Sequence, residues 1–285
     1  MKIVLIHGRA QGGRSSQQIF DQWVPGLKAG MAAAGLTLDP RIAIVAPFYG
    51  DVLDSLSEQA LRFRPEVVTR GTPPTGEVDE VTAGMIEQMA IRAGLDIKEV
   101  LDEENVSVVE RGPERWGWVQ ALARRLESRY PWLARTVIGK VTSDVKSYID
   151  FPHIQDAVHD IVAPAIGDGP TVVVSHSLGT VVAYWSLIER LPNADIPLLL
   201  TAGSPLGLNT IKKRLPQPLG IPSGVQRWLN VTDDEDIVAL HARLDQSTFL
   251  PGIENIDNIE NGDDPHAIER YLSDPRVARA IHDAI

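Results

Sequence analysis

Short apolar runs, each closed by small or turn-forming residues, set the rhythm of the chain. Lys2-Ile3-Val4-Leu5-Ile6 stops at His7-Gly8, Ile42-Ala43-Ile44-Val45-Ala46 stops at Pro47, and Thr171-Val172-Val173-Val174 stops at Ser175-His176-Ser177. Ile196-Pro197-Leu198-Leu199-Leu200 leads into Ala202-Gly203-Ser204-Pro205; Val225 to Val231 precedes an acidic cluster, and Ile253 to Ile259 is a last, weaker run. Unbroken apolar runs of this length predict strands covered on both faces. Between them the period changes. Phe20, Val24, Leu27 and Met31 share one helical face ahead of Gly35, with Pro25 placed to bend the helix. Ile154, Val158, Ile161, Val162 and Ala165 share another ahead of Gly167, and Leu178, Val181, Val182, Trp185 and Ile188 a third. Strands alternating with helices predict an α/β protein, a three-layer α/β/α sandwich with a mostly parallel central sheet.

The rhythm fails between Asp51 and about Thr142. This stretch holds Pro65, Pro73, Pro74, Pro113 and Pro131, and three of the six tryptophans, Trp116, Trp118 and Trp132. Glu77 to Glu104 carries nine acids against Arg92 and Lys98. Residues 51–142 are therefore expected to form a large, mainly helical cap insertion in a core made of residues 1–50 and 143–285. A second, shorter insertion, 208–224, is rich in Pro and Gly. Met85, Ile86, Met89, Trp116 and Trp118 could line an apolar pocket beneath the cap or simply pack its core.

Charge and composition narrow the partners. A formal charge of −11 over 285 residues argues against nucleic acid or an anionic membrane as partner. No apolar run approaches the ~18 residues of a membrane helix. The first strand starts at Lys2, which leaves no room for a signal peptide. With no cysteine, disulfides, zinc-thiolate sites and a Cys nucleophile are excluded. A cytoplasmic location is expected.

The chemistry concentrates at Ser175-His176-Ser177-Leu178-Gly179. A β-branched strand, a tight turn through a serine and an immediate apolar helix form the layout of a nucleophile elbow. A serine there needs a base and an orienting acid, and in sheets of this kind they follow it in the order acid, then histidine. Three histidines qualify by order. His241 lies five residues after Asp236 in an expected helix, and His282 lies near the end of an amphipathic one. His266, in the loop after the last strand, is the expected base. Asp233, Asp234, Glu235 and Asp236 all follow the fifth strand. Asp236 is favoured because Ile237-Val238 would anchor the helix behind it, and Asp233 is next, with helix capping as its other role. The oxyanion donors are expected at the backbone N–H groups of Leu178 and Arg9, with Gly8 permitting close approach.

Other chemistries fit less well. Gly8-Arg9-Ala10-Gln11-Gly12-Gly13-Arg14-Ser15 has nearly the spacing of a phosphate-binding loop but carries Arg14 where that loop needs Lys. His153, Asp156, His159 and Asp160 suggest a metal site, yet His153 and His159 are six apart and face different ways, so a solvated helix face is expected instead. A non-catalytic binding protein would leave the ordered serine, acid and histidine unused. The acids at 233–236 and 263–264 disfavour strongly anionic substrates.

Taken together, His7-Gly8, the Ser175–Gly179 turn, Ala202-Gly203-Ser204-Pro205-Leu206, Asp236-Ile237-Val238 and His266 make the chain resemble the α/β-hydrolase superfamily on its lipase and esterase side. The resemblance covers residues 1 to about 50 and about 150 to 285. It implies a serine hydrolase acting on small-molecule acyl esters through an acyl-enzyme, with no metal or organic cofactor. Ser177, Asp236 and His266 would be nucleophile, acid and base, with His176, Gly8 and Gly179 in supporting positions. Acyl transfer, thioester cleavage and peptide cleavage use the same triad. The chain departs from the family in two respects: Ser175 stands where Gly is usual, and the sheet starts at the family's third strand.

Overall fold

The computed structural model describes residues 1–8, 12–62, 80–103, 116–130 and 138–285. Six strands form one entirely parallel sheet: β1 (Lys2–Ile6), β2 (Ala43–Val45), β3 (Thr171–His176), β4 (Leu198–Ala202), β5 (Trp228–Asp233) and β6 (Glu254–Ile259), in the order β2-β1-β3-β4-β5-β6. Eleven helices surround it among the described residues. Alternate strand residues feed two cores. Ile3, Leu5, Val172, Val174, Leu198, Leu200, Leu229 and Val231 pack on one face, and Val4, Ile6, Val173 and Leu199 on the other. This two-sided burial explains why the strands read as continuous apolar runs.

On the first face lie α1 (Ser16–Ala33) and, from the end of the chain, the two helices Ile268–Ser273 and Pro275–Asp283. The helix α1 runs through Pro25 without interruption. Its Gly26 and Gly30 are one turn apart, and a Cβ on either would overlap the main chain of the Ile268–Ser273 helix at Glu269 and Leu272. The two helices thus touch through backbone.

The second face is covered by the helices Pro152–Ile166 and Leu178–Glu189, and the helices of the long middle segment join the same core. These are α2 (Gly50–Arg62), α3 (Glu80–Arg92), α4 (Ile97–Glu103), α5 (Trp116–Arg129) and α6 (Ile138–Asp150). The two sheet-covering helices then become α7 (Pro152–Ile166) and α8 (Leu178–Glu189). The short α9 (Asn209–Lys212) follows, and the two C-terminal helices are α10 (Ile268–Ser273) and α11 (Pro275–Asp283). Met85, Ile86 and Met89 are buried in this core and Trp118 is half-buried. Expectations for the side chains of Trp116 and Trp132 fall outside the described residues.

Strand boundaries shifted where main-chain donors are missing. The run Ile196–Leu200 forms a strand only from Leu198, because Pro197 has no N–H to give the ladder. The run Val225–Val231 makes one bridge to Ile196 at Val225 and joins the sheet from Trp228 to Asp233.

The topology defines one crevice. From β1 the chain moves outward to β2, then returns to the opposite side of β1 as β3, so strand order reverses between them. Open parallel sheets bind ligands at the carboxyl ends of the strands flanking such a reversal. Here those ends are His7-Gly8 and His176-Ser177.

Candidate active site

Ser177 joins β3 to α8 at φ 53°, ψ −128°, a region that non-glycine residues rarely occupy. The turn is held from behind. Ser177 N–H donates to Ala202 O at 3.0 Å, and its own carbonyl accepts from the Thr180 N–H and hydroxyl at 2.9 and 2.7 Å. Thr180 Oγ1 also meets Ser204 Oγ at 2.8 Å. A Cβ on Gly179 would overlap the carbonyl oxygen of Ile6 and lie 2.5 Å from that of His7, and one on Gly8 would lie 2.9 Å from Ser177 Cβ. Both glycines are required by close approach. Ser175 is fully buried, and its hydroxyl donates to Leu200 O at 2.8 Å. The departure from Gly at this position is thereby satisfied.

Leu178 is the first residue of α8, where a helix leaves its N–H without an internal acceptor. That group is free to face a developing negative charge, in the positive field of the helix start. The second expected donor, Arg9, lies outside the described residues. His7, at the exit of β1, is held in one tautomer. Tyr49 N–H donates to His7 Nε2 at 3.2 Å, so the proton sits on Nδ1, which donates to Gly8 O at 2.6 Å. The Tyr49 hydroxyl donates to His7 O, and its ring stacks on the imidazole at 4.0 Å. Burial pushes the His7 pKa down to about 4, so the ring is neutral at neutral pH.

His266 and Asp236 are brought together from separate loops. His266 Nδ1 donates to Asp236 Oδ2 at 2.8 Å, leaving Nε2 with its lone pair. Asp236 is fully buried and accepts from four donors: His266 and the Tyr271 hydroxyl (2.7 Å) on Oδ2, and the N–H groups of Val238 and Ala239 (3.0 and 3.1 Å) on Oδ1. Burial opposes its ionisation, but the hydrogen-bonded His266 and Tyr271 outweigh that and hold the carboxyl below its usual range. Asp233 serves differently. Its Oδ1 accepts from Glu235 N–H at 2.7 Å and its Oδ2 from Asn261 N–H at 2.6 Å, tying the loop after β5 to the loop that carries His266. The expected capping role passes to Asp236, which caps a three-residue 3-10 turn, Ile237–Ala239, rather than a full helix.

The imidazole of His266 lies over Gly203, where a Cβ would come within 2.9 Å of His266 Cε1 and of Asp236 Oδ2. Gly203 follows Ala202, the residue that accepts the Ser177 N–H, so serine and acid–histidine pair share one end of the sheet. His176, in the elbow itself, packs its ring 4.4 Å from that of His266. Burial keeps His176 far below the usual histidine range and neutral.

Several expectations change. His241 is not helical. Leu240, at φ 62°, ψ −41°, reverses the chain so that His241 N–H reaches Ala239 O at 2.7 Å, and the Leu240 side chain is drawn into the core. This is a strained γ-turn. His241 then packs on Gly207 instead of lying along a helix. His159 is not on a solvated face: it is buried and pairs with the Tyr148 hydroxyl at 2.7 Å, whereas His153 is exposed. In the glycine loop before α1, the Gly13 N–H is given to Asp51 Oδ1 at 2.8 Å, so a carboxylate holds an amide that a phosphate loop would keep for its ligand. Tyr271 and Asn261 went unread in the sequence, and Gly203 was read only as part of the turn after the fourth strand. Tyr271 falls on the buried face of α10 with Ile268 and Leu272, where an aromatic reads as core.

No protein-family model matches the chain, and no curated protein matches it in sequence. Among the described residues no helix is long and apolar enough to cross a membrane.

Proposed function

We propose that the protein is a serine hydrolase of the α/β-hydrolase type that cleaves carboxylic esters of small molecules, with Ser177, His266 and Asp236 as its triad. The observation that carries this reading is the strained Ser177 turn at the sheet's switch point, with an acid–histidine pair from later loops lying over the adjacent Gly203. In the reaction, Ser177 Oγ attacks the acyl carbonyl while His266 Nε2 takes its proton. Asp236 holds the imidazole with Nε2 outward and stabilises the imidazolium. The oxyanion is received by Leu178 N–H and, by the same reading, Arg9 N–H. Collapse of the tetrahedral adduct breaks the ester bond, and His266 returns the proton to the departing alcohol. A water molecule, deprotonated by His266, then releases the acid and restores Ser177. The helices of the middle segment act as a cap over this end of the sheet; the packing of α3 against the turn after Asp236 supports that placement.

A fluorophosphonate probe and a series of acyl esters of increasing chain length, applied to wild type and Ser177→Ala, test the proposal. Wild type should be labelled once and turn over esters, and Ser177→Ala should do neither. Labelling that persists in the variant would remove Ser177 from the mechanism. The released product, free acid or transferred acyl group, separates hydrolysis from acyl transfer.

A further inference from the structure

Arg92 is one of two cations in the acidic stretch Glu77–Glu104, and its side chain leaves that stretch. It is the last residue of α3. Gly94, at φ 65°, closes the helix by donating to Ile91 O, and Leu95 donates to Ala90 O. A cation at a helix C-terminus can hydrogen-bond the helix's own last carbonyls. Arg92 does not. Its Nε donates to Asp236 O at 2.8 Å and its Nη2 to Asp233 O at 2.9 Å. Those two carbonyls are the ends of a tight turn, closed by Asp236 N–H on Asp233 O at 3.1 Å. The guanidinium fork therefore bridges the mouth of the turn that presents the Asp236 carboxylate.

The four hydrogen bonds to that carboxylate come from His266, Tyr271 and the N–H groups of Val238 and Ala239. None of them fixes the turn against the middle segment; Arg92 does. We propose that Arg92 is a positioning residue for the Asp236–His266 pair, through which the docking of α3 on the sheet is coupled to the alignment of the triad. This rests on the hydrolase reading of the site. A planar fork with two parallel N–H groups fits two carbonyls at once, whereas a lysine ammonium on its flexible stem reaches one. A misalignment of the acid–histidine pair by even about 1 Å lowers turnover by about a hundredfold without changing how an ester is bound.

The test compares wild type, Arg92→Ala, Arg92→Lys and Ser177→Ala. Ester kcat and KM, the rate of fluorophosphonate labelling, and the urea midpoint are measured for each, with and without millimolar methylguanidinium. Arg92→Ala should lose about ten- to a hundredfold in kcat with KM little changed and slow labelling in the same ratio. Methylguanidinium should restore part of both rates, and Arg92→Lys should fall between. Wild-type rates in Arg92→Ala would overturn the proposal. So would a loss that tracks the unfolded fraction, with no methylguanidinium effect and Arg92→Lys equal to wild type. If wild type itself is neither labelled nor active, the hydrolase reading fails and takes this role with it.

Discussion

Gly179 and Ser175 flank Ser177 by two residues on either side, and the sheet treats them differently. A methyl at 179 runs into two carbonyl oxygens of β1 and its exit, which are main chain and cannot yield. Gly179→Ala should lower stability by at least about 3 kcal/mol and abolish labelling. Ser175→Ala removes one hydroxyl–carbonyl bond and should cost about 1 kcal/mol, with labelling retained. Equal urea midpoints for the two variants would contradict the close approach of α8 to β1. The two acids of the next loop separate in the same manner. Asp236→Asn leaves His266 without its anionic partner and should reduce turnover by about 10⁴-fold. Asp233→Asn can accept from only one of the two backbone donors, Glu235 or Asn261 N–H, and should cost about 1–2 kcal/mol while turnover stays within about threefold. Kinetics and urea melts on the same two proteins check both statements, and the opposite pattern would move the acid role to Asp233.

At the level of elements, the inner strands β1, β3, β4 and β5 could be read from the sequence because burial on both faces makes them apolar runs. The edge strand β6, by contrast, is exposed along much of its length and reads weakly. The helices on either side kept their period for the same reason. Side-chain chemistry across the gaps was less legible. Ser177, Asp236 and His266 stood out by order along the chain, since each follows a strand. Tyr271 and Arg92 act on them from elsewhere, and a tyrosine on an apolar face or an arginine in an acidic stretch carries no local mark of that partner. The Gly26–Gly30 pair of α1 is a similar case. In sequence it only weakens a helix, yet in the fold it lets α1 meet α10, which directly follows His266. Gly30→Ala would push methyl into Leu272 O and the Ala278 side chain. It should destabilise by about 2–3 kcal/mol and slow labelling by displacing α10, where the helix propensity of alanine alone would stabilise by about 1 kcal/mol. Thermal melting with a labelling time course decides between the two signs.

Across the whole molecule, buried histidines make stability depend on pH in a defined direction. Burial lowers the pKa of His7 and of His159 to about 4 from 6.5, and lowers His176 and His241 as well. Below pH 6.5 the unfolded chain binds protons at these residues while the folded chain does not, so the unfolded state gains stability as pH falls. By linkage the free energy of unfolding rises with pH throughout the interval from about 4 to 6.5 and is flat, as far as these groups are concerned, above it. His7 alone accounts for up to about 3 kcal/mol between the two ends. Asp236, whose carboxyl is held low, adds a further loss once pH drops below the ordinary carboxylate range. Urea midpoints taken at half-unit steps from pH 7.5 to 4.5 should therefore hold steady to about pH 6.5 and then decline. His159→Gln keeps a hydrogen-bonding partner for the Tyr148 hydroxyl without a titrating ring, and should decline less steeply over the same range. Because His159 meets Tyr148 and Trp185 and no residue of the proposed triad, the variant should leave ester turnover at pH 7.5 unchanged. A decline as steep as wild type would mean that His159 takes up its proton in the folded state and contributes nothing to acid sensitivity.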